Sequence, residues 1–142
     1  MSRPVYRLID HTADMAYVVE GASFGELLQA ATAALADIVL GVEHATFDES
    51  RELEVGGADR EDVLVAWLNE VVVAFEDEGF LAWDARIEHA DATVARGALR
   101  GRTLDFDEEQ PDRVIKAVTY HDLAVVEGRG GRPWSAQIVL DL

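Results

Sequence analysis

Phe80-Leu81-Ala82-Trp83-Asp84-Ala85-Arg86-Ile87-Glu88-His89, then Ala90-Asp91, then Thr93-Val94-Ala95-Arg96-Gly97-Ala98-Leu99-Arg100-Gly101 is the stretch that decides the fold. Both long runs are rich in Val, Ile, Thr and aromatic residues, which suit a pleated, half-buried surface. Ala90-Asp91 supplies turn chemistry between them. A connection this short cannot house a parallel crossover, which needs a dozen residues or more, so the two runs pair antiparallel.

The pattern changes period on the N-terminal side. Leu64, Trp67, Leu68, Val71, Val72 and Phe75 recur at helical spacing, with Asp59 placed to cap the first turn and Gly79 to end the last. Residues 51–57 alternate Leu53 and Val55 with glutamates, as a half-exposed strand does. An earlier helix opens at Ser23-Phe24-Gly25-Glu26, which has capping-box spacing. Leu27, Leu28, Ala31, Ala34, Leu35 and Ile38 then predict one buried face as far as Gly41. Residues 6–10 and 15–20 read as short strands around the polar segment His11-Thr12-Ala13-Asp14. Toward the C-terminus, residues 117–127 and 134–140 are two more strand-like runs, separated by the turn-rich residues 128–133. The expectation is an α+β fold: two helices packed on a largely antiparallel β-sheet, in a single domain over residues 1–142.

Composition narrows the function classes. Half the chain is apolar (49%, with 8% aromatic), which is globular rather than disordered. There is no cysteine, so disulfides and thiolate metal sites are excluded. No apolar run approaches the ~20 residues of a membrane helix, and Met1-Ser2-Arg3-Pro4 leads into no apolar signal core. The cytoplasm is the expected location, with no membrane partner. Twenty-eight acids against twelve bases give a net charge of −16. A field of that sign repels a phosphate backbone and argues against direct, strong nucleic-acid binding. An acidic functional surface would explain the charge; so would a solvated surface suited to high intracellular salt.

Few residues stand out as chemistry. A strand running to the last residue would set the α-carboxylate of Leu142 beside the Asp141 side chain. Two adjacent anionic donors repel unless a hard cation such as Ca²⁺ or Mg²⁺ lies between them; the plain alternative is a frayed, solvated end. His11 sits between Asp10 and Asp14, where it would be a general base or a hydrogen-bonding anchor. His11, His44, His89 and His121 are too scattered in sequence for a zinc pair. No nucleophile elbow and no Gly-x-x-x-x-Gly-Lys phosphate loop is present. Lys116, the sole lysine, enters a strand in an apolar stretch. It either snorkels or is held near acidic groups and offered to a partner's phosphate.

Five blocks, in order and extending over essentially the whole chain, resemble the archease family. They are His11-Thr12-Ala13-Asp14; Ser23-Phe24-Gly25-Glu26-Leu27-Leu28 after Gly21; Leu64-Val65-Ala66-Trp67-Leu68-Asn69-Glu70; Ile115-Lys116-Ala117-Val118-Thr119-Tyr120-His121; and the closing Asp141-Leu142. The resemblance implies an accessory protein rather than an enzyme: a protein cofactor of an RtcB-type RNA ligase in tRNA splicing and RNA repair. It would promote guanylylation of the ligase's active-site histidine and permit multiple turnover, meeting tRNA only through the ligase. By the same resemblance, Asp14, Asp141 and terminal Leu142 would bind a divalent metal ion, calcium in that family, and Lys116 would assist the ligase. Residues 43–49 match no family block. Two other readings stand beside this one, a free-standing metal-dependent phosphohydrolase and a chaperone-like module with an exposed apolar patch. The sequence leaves oligomeric state and native ion open.

Overall fold

The computed structural model describes residues 3–9 and 14–142. Residues 10–13, with most of the first family-like block and the candidate base His11, lie outside the described residues, as do Met1 and Ser2. In chain order the elements are β1 (Arg7–Ile9), β2 (Met15–Gly21), α1 (Phe24–Val39), β3 (Glu49–Gly56), α2 (Arg60–Glu78), β4 (Phe80–Ala90), β5 (Val94–Thr103), β6 (Ala117–Val126) and β7 (Trp134–Asp141). Every strand pairing is antiparallel. The class is α+β, as predicted, with one refinement: the strands divide into two sheets, ordered β1-β2-β7-β6 and β3-β5-β4.

Local chemistry starts and stops both helices where the sequence indicates. Ser23 is extended, and its Oγ accepts from the Glu26 N–H at 3.1 Å. The Glu26 carboxylate reaches back to the Ala22 N–H at 2.7 Å. One free donor of the first turn and the N–H just ahead of the cap are thereby satisfied. Asp59 and Asp62 repeat the arrangement for α2, accepting from the Asp62 and Ala58 N–H groups at 2.8 Å each. Gly79 takes a left-handed φ of 73° and closes α2 through its N–H to Phe75 O.

Burial around α1 departs from the one-faced helix expected. Residues 31–40 are buried without a break. The reason is location: α1 contacts β2 and β7 of one sheet and β4 of the other, so both its sides meet protein. A helix enclosed this way must be small or apolar all round, and Ala31, Ala33, Ala34 and Ala36 supply that. The polar atoms of the core's large aromatics all find acceptors. Tyr17 Oη donates to Ala31 O at 3.0 Å, Trp83 Nε1 to Leu40 O at 3.1 Å, and Trp67 Nε1 to Thr32 Oγ1 at 3.1 Å. Burial drives the Tyr17 pKa strongly upward, so it stays a neutral donor.

The β4–β5 hairpin carries the turn read from Ala90-Asp91. The Asp91 carboxylate accepts from the Thr93 and Val94 N–H groups at 2.8 and 2.9 Å, and from His89 Nε2 at 2.7 Å. Those bonds, the Thr93 N–H foremost, hold its pKa well below the ordinary carboxylate range. A depressed folded pKa stabilises the fold above the unfolded carboxylate pKa, and that stability is lost as pH falls below it. Asp91→Asn, which lacks the charge, should therefore leave this hairpin looser at neutral pH, and acid should loosen it through this carboxyl in the wild type alone. Amide exchange at Thr93 and Val94 is the measurement, and identical pH profiles in the two proteins would contradict the assignment.

Candidate functional site

Strand β7 lies between β2 and β6, and this placement brings the distant candidate residues together. Met15 pairs with Leu140, and Ala117 pairs with Asp141. Asp14 immediately precedes Met15 at this end of β2. One step before Ala117, Lys116 donates its N–H to Asp141 O at 2.8 Å. Asp14, Asp141, Leu142 and Lys116 thus share one end of a three-strand ribbon. Alternation along β7 sets Asp141 on the same face as Val139, which is fully buried. Lys116 and Leu142 each sit one residue beyond the Ala117–Asp141 pair. Lys116 and Asp141 are exposed and Asp14 is half-buried. Among the described residues, no three His, Asp or Glu side chains cluster closely enough to hold a metal ion.

The segment leading to Lys116 is tethered at both ends. Asp112 N–H donates to Val39 O at 2.7 Å, and the Ile115 side chain is buried in the core. Beyond Lys116, α2 holds β6 from the side. Asn69 Nδ2 donates to Val118 O at 3.2 Å, and Asn69 Oδ1 accepts from Val118 N–H at 2.9 Å. One side chain thereby completes both backbone groups of a residue on the sheet's edge. Four residues of β6, 120–123, then bulge out between the Thr119–Val139 and Ala124–Gln137 pairs, and Asp122 has a φ of 53°. Tyr120 in the bulge donates its hydroxyl to Asp62 at the start of α2. That bond raises the Tyr120 pKa and lowers that of Asp62.

Asn69 is the positioning residue that sequence reasoning missed, although it lies within one of the family-like blocks. Its signal was a lone amide on a helix whose neighbours Leu64, Trp67, Leu68, Val71 and Val72 are all buried. Asn69→Ala should cost about 2–3 kcal/mol, because it leaves two backbone groups of a residue 3% exposed without partners. Thermal melting reads the loss. Asn69→Asp keeps the acceptor, faces a carboxylate to Val118 O, and should lose nearly as much; an unshifted melt for both would remove Asn69 from this role.

A second unexpected polar group is Asp37, buried on α1. It accepts from Tyr6 Oη at 2.8 Å and Val42 N–H at 2.9 Å, and Arg3 approaches to 3.9 Å. Burial and the Asp37 bond push the Tyr6 pKa up to about 12. These contacts make Asp37 an anchor for the N-terminal segment and the α1 terminus. Two clefts, of about 650 and 560 Å³, share Glu26, Gln29, Asp84 and Arg100. Neither is lined by Asp14, Lys116, Asp141 or Leu142.

Known proteins match this chain from end to end. The Archease protein family matches residues 6–142. The archease of Pyrococcus abyssi is 34% identical over 136 residues, covering 94% of this chain and 95% of that protein. That of Archaeoglobus fulgidus is 34% identical over 139 residues, covering 96% and 98%. A Methanobacterium thermoautotrophicum protein solved in solution superposes with a TM-score of 0.76 at 23% identity, over 96% of this chain and 98% of that one. A crystal structure from Thermotoga maritima, described as an archease and possible chaperone, gives 0.62 at 28% identity over 100% and 98%. By the extent of the family match and of its relatives, the chain belongs to the Archease family.

Proposed function

We propose that this protein is an accessory activator of an RtcB-type RNA ligase, promoting guanylylation of the ligase's active-site histidine and so permitting multiple turnover in tRNA splicing and RNA repair. The observation that carries the reading is the strand register of β2, β7 and β6. In an Archease family chain, that register gathers Asp14, Asp141 and Leu142 beside Lys116. The protein works by binding, in the cytoplasm, and meets tRNA only through the ligase, since a charge of −16 repels RNA.

The donors at this end of the ribbon fit a hard divalent cation, and calcium is the ion we assign. All are oxygens, Asp14 and Asp141 stand at the same end of paired strands, and no thiolate exists in the chain. Asp14, Asp141 and the Leu142 carboxylate would hold it. Bound there, such an ion supplies positive charge beside nucleotide phosphates. The chain's own part is positional. Asp14 and Asp141 accept and orient at one end of the sheet, and the tethered backbone of Lys116 fixes where its ammonium meets a ligase-bound phosphate.

Asp14→Ala or Asp141→Ala should weaken calcium binding at least tenfold, abolish most stimulation of the ligase and leave the melt nearly unchanged. Extending the chain beyond Leu142 should also hurt, by removing the terminal charge. Calorimetry tests this. Unchanged calcium binding by the double alanine variant would refute the assignment.

The description of the Thermotoga maritima relative as a possible chaperone raises a second reading. A holding surface needs a contiguous apolar patch. The large exposed apolar side chains here, such as Leu8, Val73, Phe106, Val114 and Val126, come from separate elements. The distribution favours the activator.

A further inference from the structure

Four strands form the edges of the two sheets: β1 and β6 in one, β3 and β4 in the other. An open edge is a template for pairing, and proteins blunt such edges with short strands, bulges or covering elements. Three of the four are blunted here. β1 has three residues. β4 breaks register after Ala82 and after Ile87, and packs against α1. β6 bulges at residues 120–123, and the Asn69 side chain occupies its Val118 backbone groups.

β3 is different. Its eight residues run in unbroken register along β5, with no bulge and no proline. The phase of the ladder follows from the Gly57 N–H, which donates to Thr93 O at 3.0 Å. Odd-numbered residues therefore turn their backbone groups toward β5. Ser50, Glu52, Glu54 and Gly56 turn theirs to the open side, where β3 pairs with no second strand among the described elements. The side chains sort by the same parity. Leu53 and Val55 are half-buried on the face toward α2, whereas Glu52 and Glu54 are exposed on the other. A groove of about 340 Å³ between β3 and α2 includes Leu53, Leu99 and the 44%-exposed Val73, with Glu70 and Asp77 also lining it.

We propose that β3 is a strand-addition site for an extended segment of another protein in which basic residues alternate with apolar ones. Added antiparallel, the segment sets its basic residues opposite Glu52 and Glu54, and its apolar residues against Leu53, Val55 and the groove. Main-chain bonds supply affinity and the alternating side chains supply specificity. A second copy of this chain is a poor occupant. Two-fold antiparallel pairing sets residues of equal parity opposite one another, so Glu52 would meet Glu52 or Glu54, and like charges directly opposite destabilise a sheet. Arg96 approaches Glu54 at 3.7 Å from within the sheet, which leaves Glu52 as the stronger selector of charge. The inference stands apart from the ligase reading and uses none of its residues.

The probe is a blocked synthetic heptapeptide alternating Lys or Arg with Val, its binding to the full chain followed by fluorescence anisotropy at fixed salt. In the proposed pairing, the backbone N–H groups of the basic residues face β3. N-methylating those residues should weaken binding at least tenfold, although charge and side chains are kept. N-methylating the valines instead should change it less than twofold. A peptide with Glu for each basic residue should not bind. Glu52→Pro removes both the carboxylate that selects charge and an N–H that faces outward, without taking a bond from the β5 ladder, and should abolish binding. Should that variant melt early, the Glu52→Lys, Glu54→Lys pair serves instead, and should exchange the preference to the acidic peptide. The proposal is overturned by equal binding of both methylated peptides, which would signify attraction to net charge alone. It is equally overturned by no binding of the parent peptide, or by sedimentation showing self-association that Glu52→Lys abolishes.

Discussion

Gly101→Ala is expected to destabilise the fold by roughly 3 kcal/mol or more, at the upper end of what overpacking costs. Gly101 lies in β5 opposite Ala82, at the register break where Trp83 is inserted into β4. The break pushes the β4 backbone inward, so a Cβ on Gly101 would stand 1.9 Å from Leu81 O and 2.8 Å from Leu81 C. Backbone atoms in the middle of a buried hairpin cannot step aside as a flexible side chain would. Gly97 repeats the arrangement at the second break, with its Cβ position 2.1 Å from Arg86 O. For a chain of this size the melting temperature should fall by about 10 °C. Gly130→Ala is the control. Its φ of 57° carries left-handed strain, but nothing lies within 4 Å of the added carbon, so about 1 kcal/mol should be lost. Melts of the two variants within a degree or two of each other would contradict the tight approach at Gly101.

Loss of most ligase stimulation is the expected result for both Lys116→Ala and Lys116→Arg, with folding and calcium binding intact. Lys116 is exposed, and its backbone N–H is tied to Asp141 O at 2.8 Å. A side chain that only snorkels would tolerate arginine, which keeps both stem and charge. An ammonium that must fit between the acidic rim and a ligase-bound phosphate is a compact point charge, and the wider planar guanidinium replaces it poorly. The effect should also weaken with salt, as contacts between exposed charges do. Guanylylation of the ligase at fixed salt, beside a thermal melt of each variant, is the measurement. Full activity of Lys116→Arg would make Lys116 a structural residue and leave the carboxylates as the remaining candidates.

What the sequence made legible is what local chemistry determines. Ser23, Asp59 and Gly79 bound their helices by interactions within one turn, and the Asp91 turn is contained within its own hairpin. What it hid depends on which segment ends up beside which. Alternation in residues 51–57 shows a strand, yet nothing in it says that this strand joins a different sheet from β7. The buried circumference of α1 follows from enclosure by both sheets, which a helical repeat cannot report. The need for glycine at 97 and 101 follows from the breaks in β4, which the strand-like run of residues 93–101 does not announce. The candidate site shows both sides of this. Asp14, Lys116 and Asp141 could be named from the family-like blocks, but their meeting at one rim requires β7 to lie between β2 and β6. Asn69 was hidden because its partner, the Val118 backbone, has no signature in side-chain order.

The most direct test of the central claim is a guanylylation time course of an RtcB-type ligase with GTP and Ca²⁺, with and without this protein at substoichiometric amounts. The account predicts that each added molecule activates many ligase molecules, that the Asp14→Ala and Lys116→Ala variants do not, and that this protein alone joins no RNA ends. An unchanged time course in its presence, or ligation by this chain without the ligase, would contradict it.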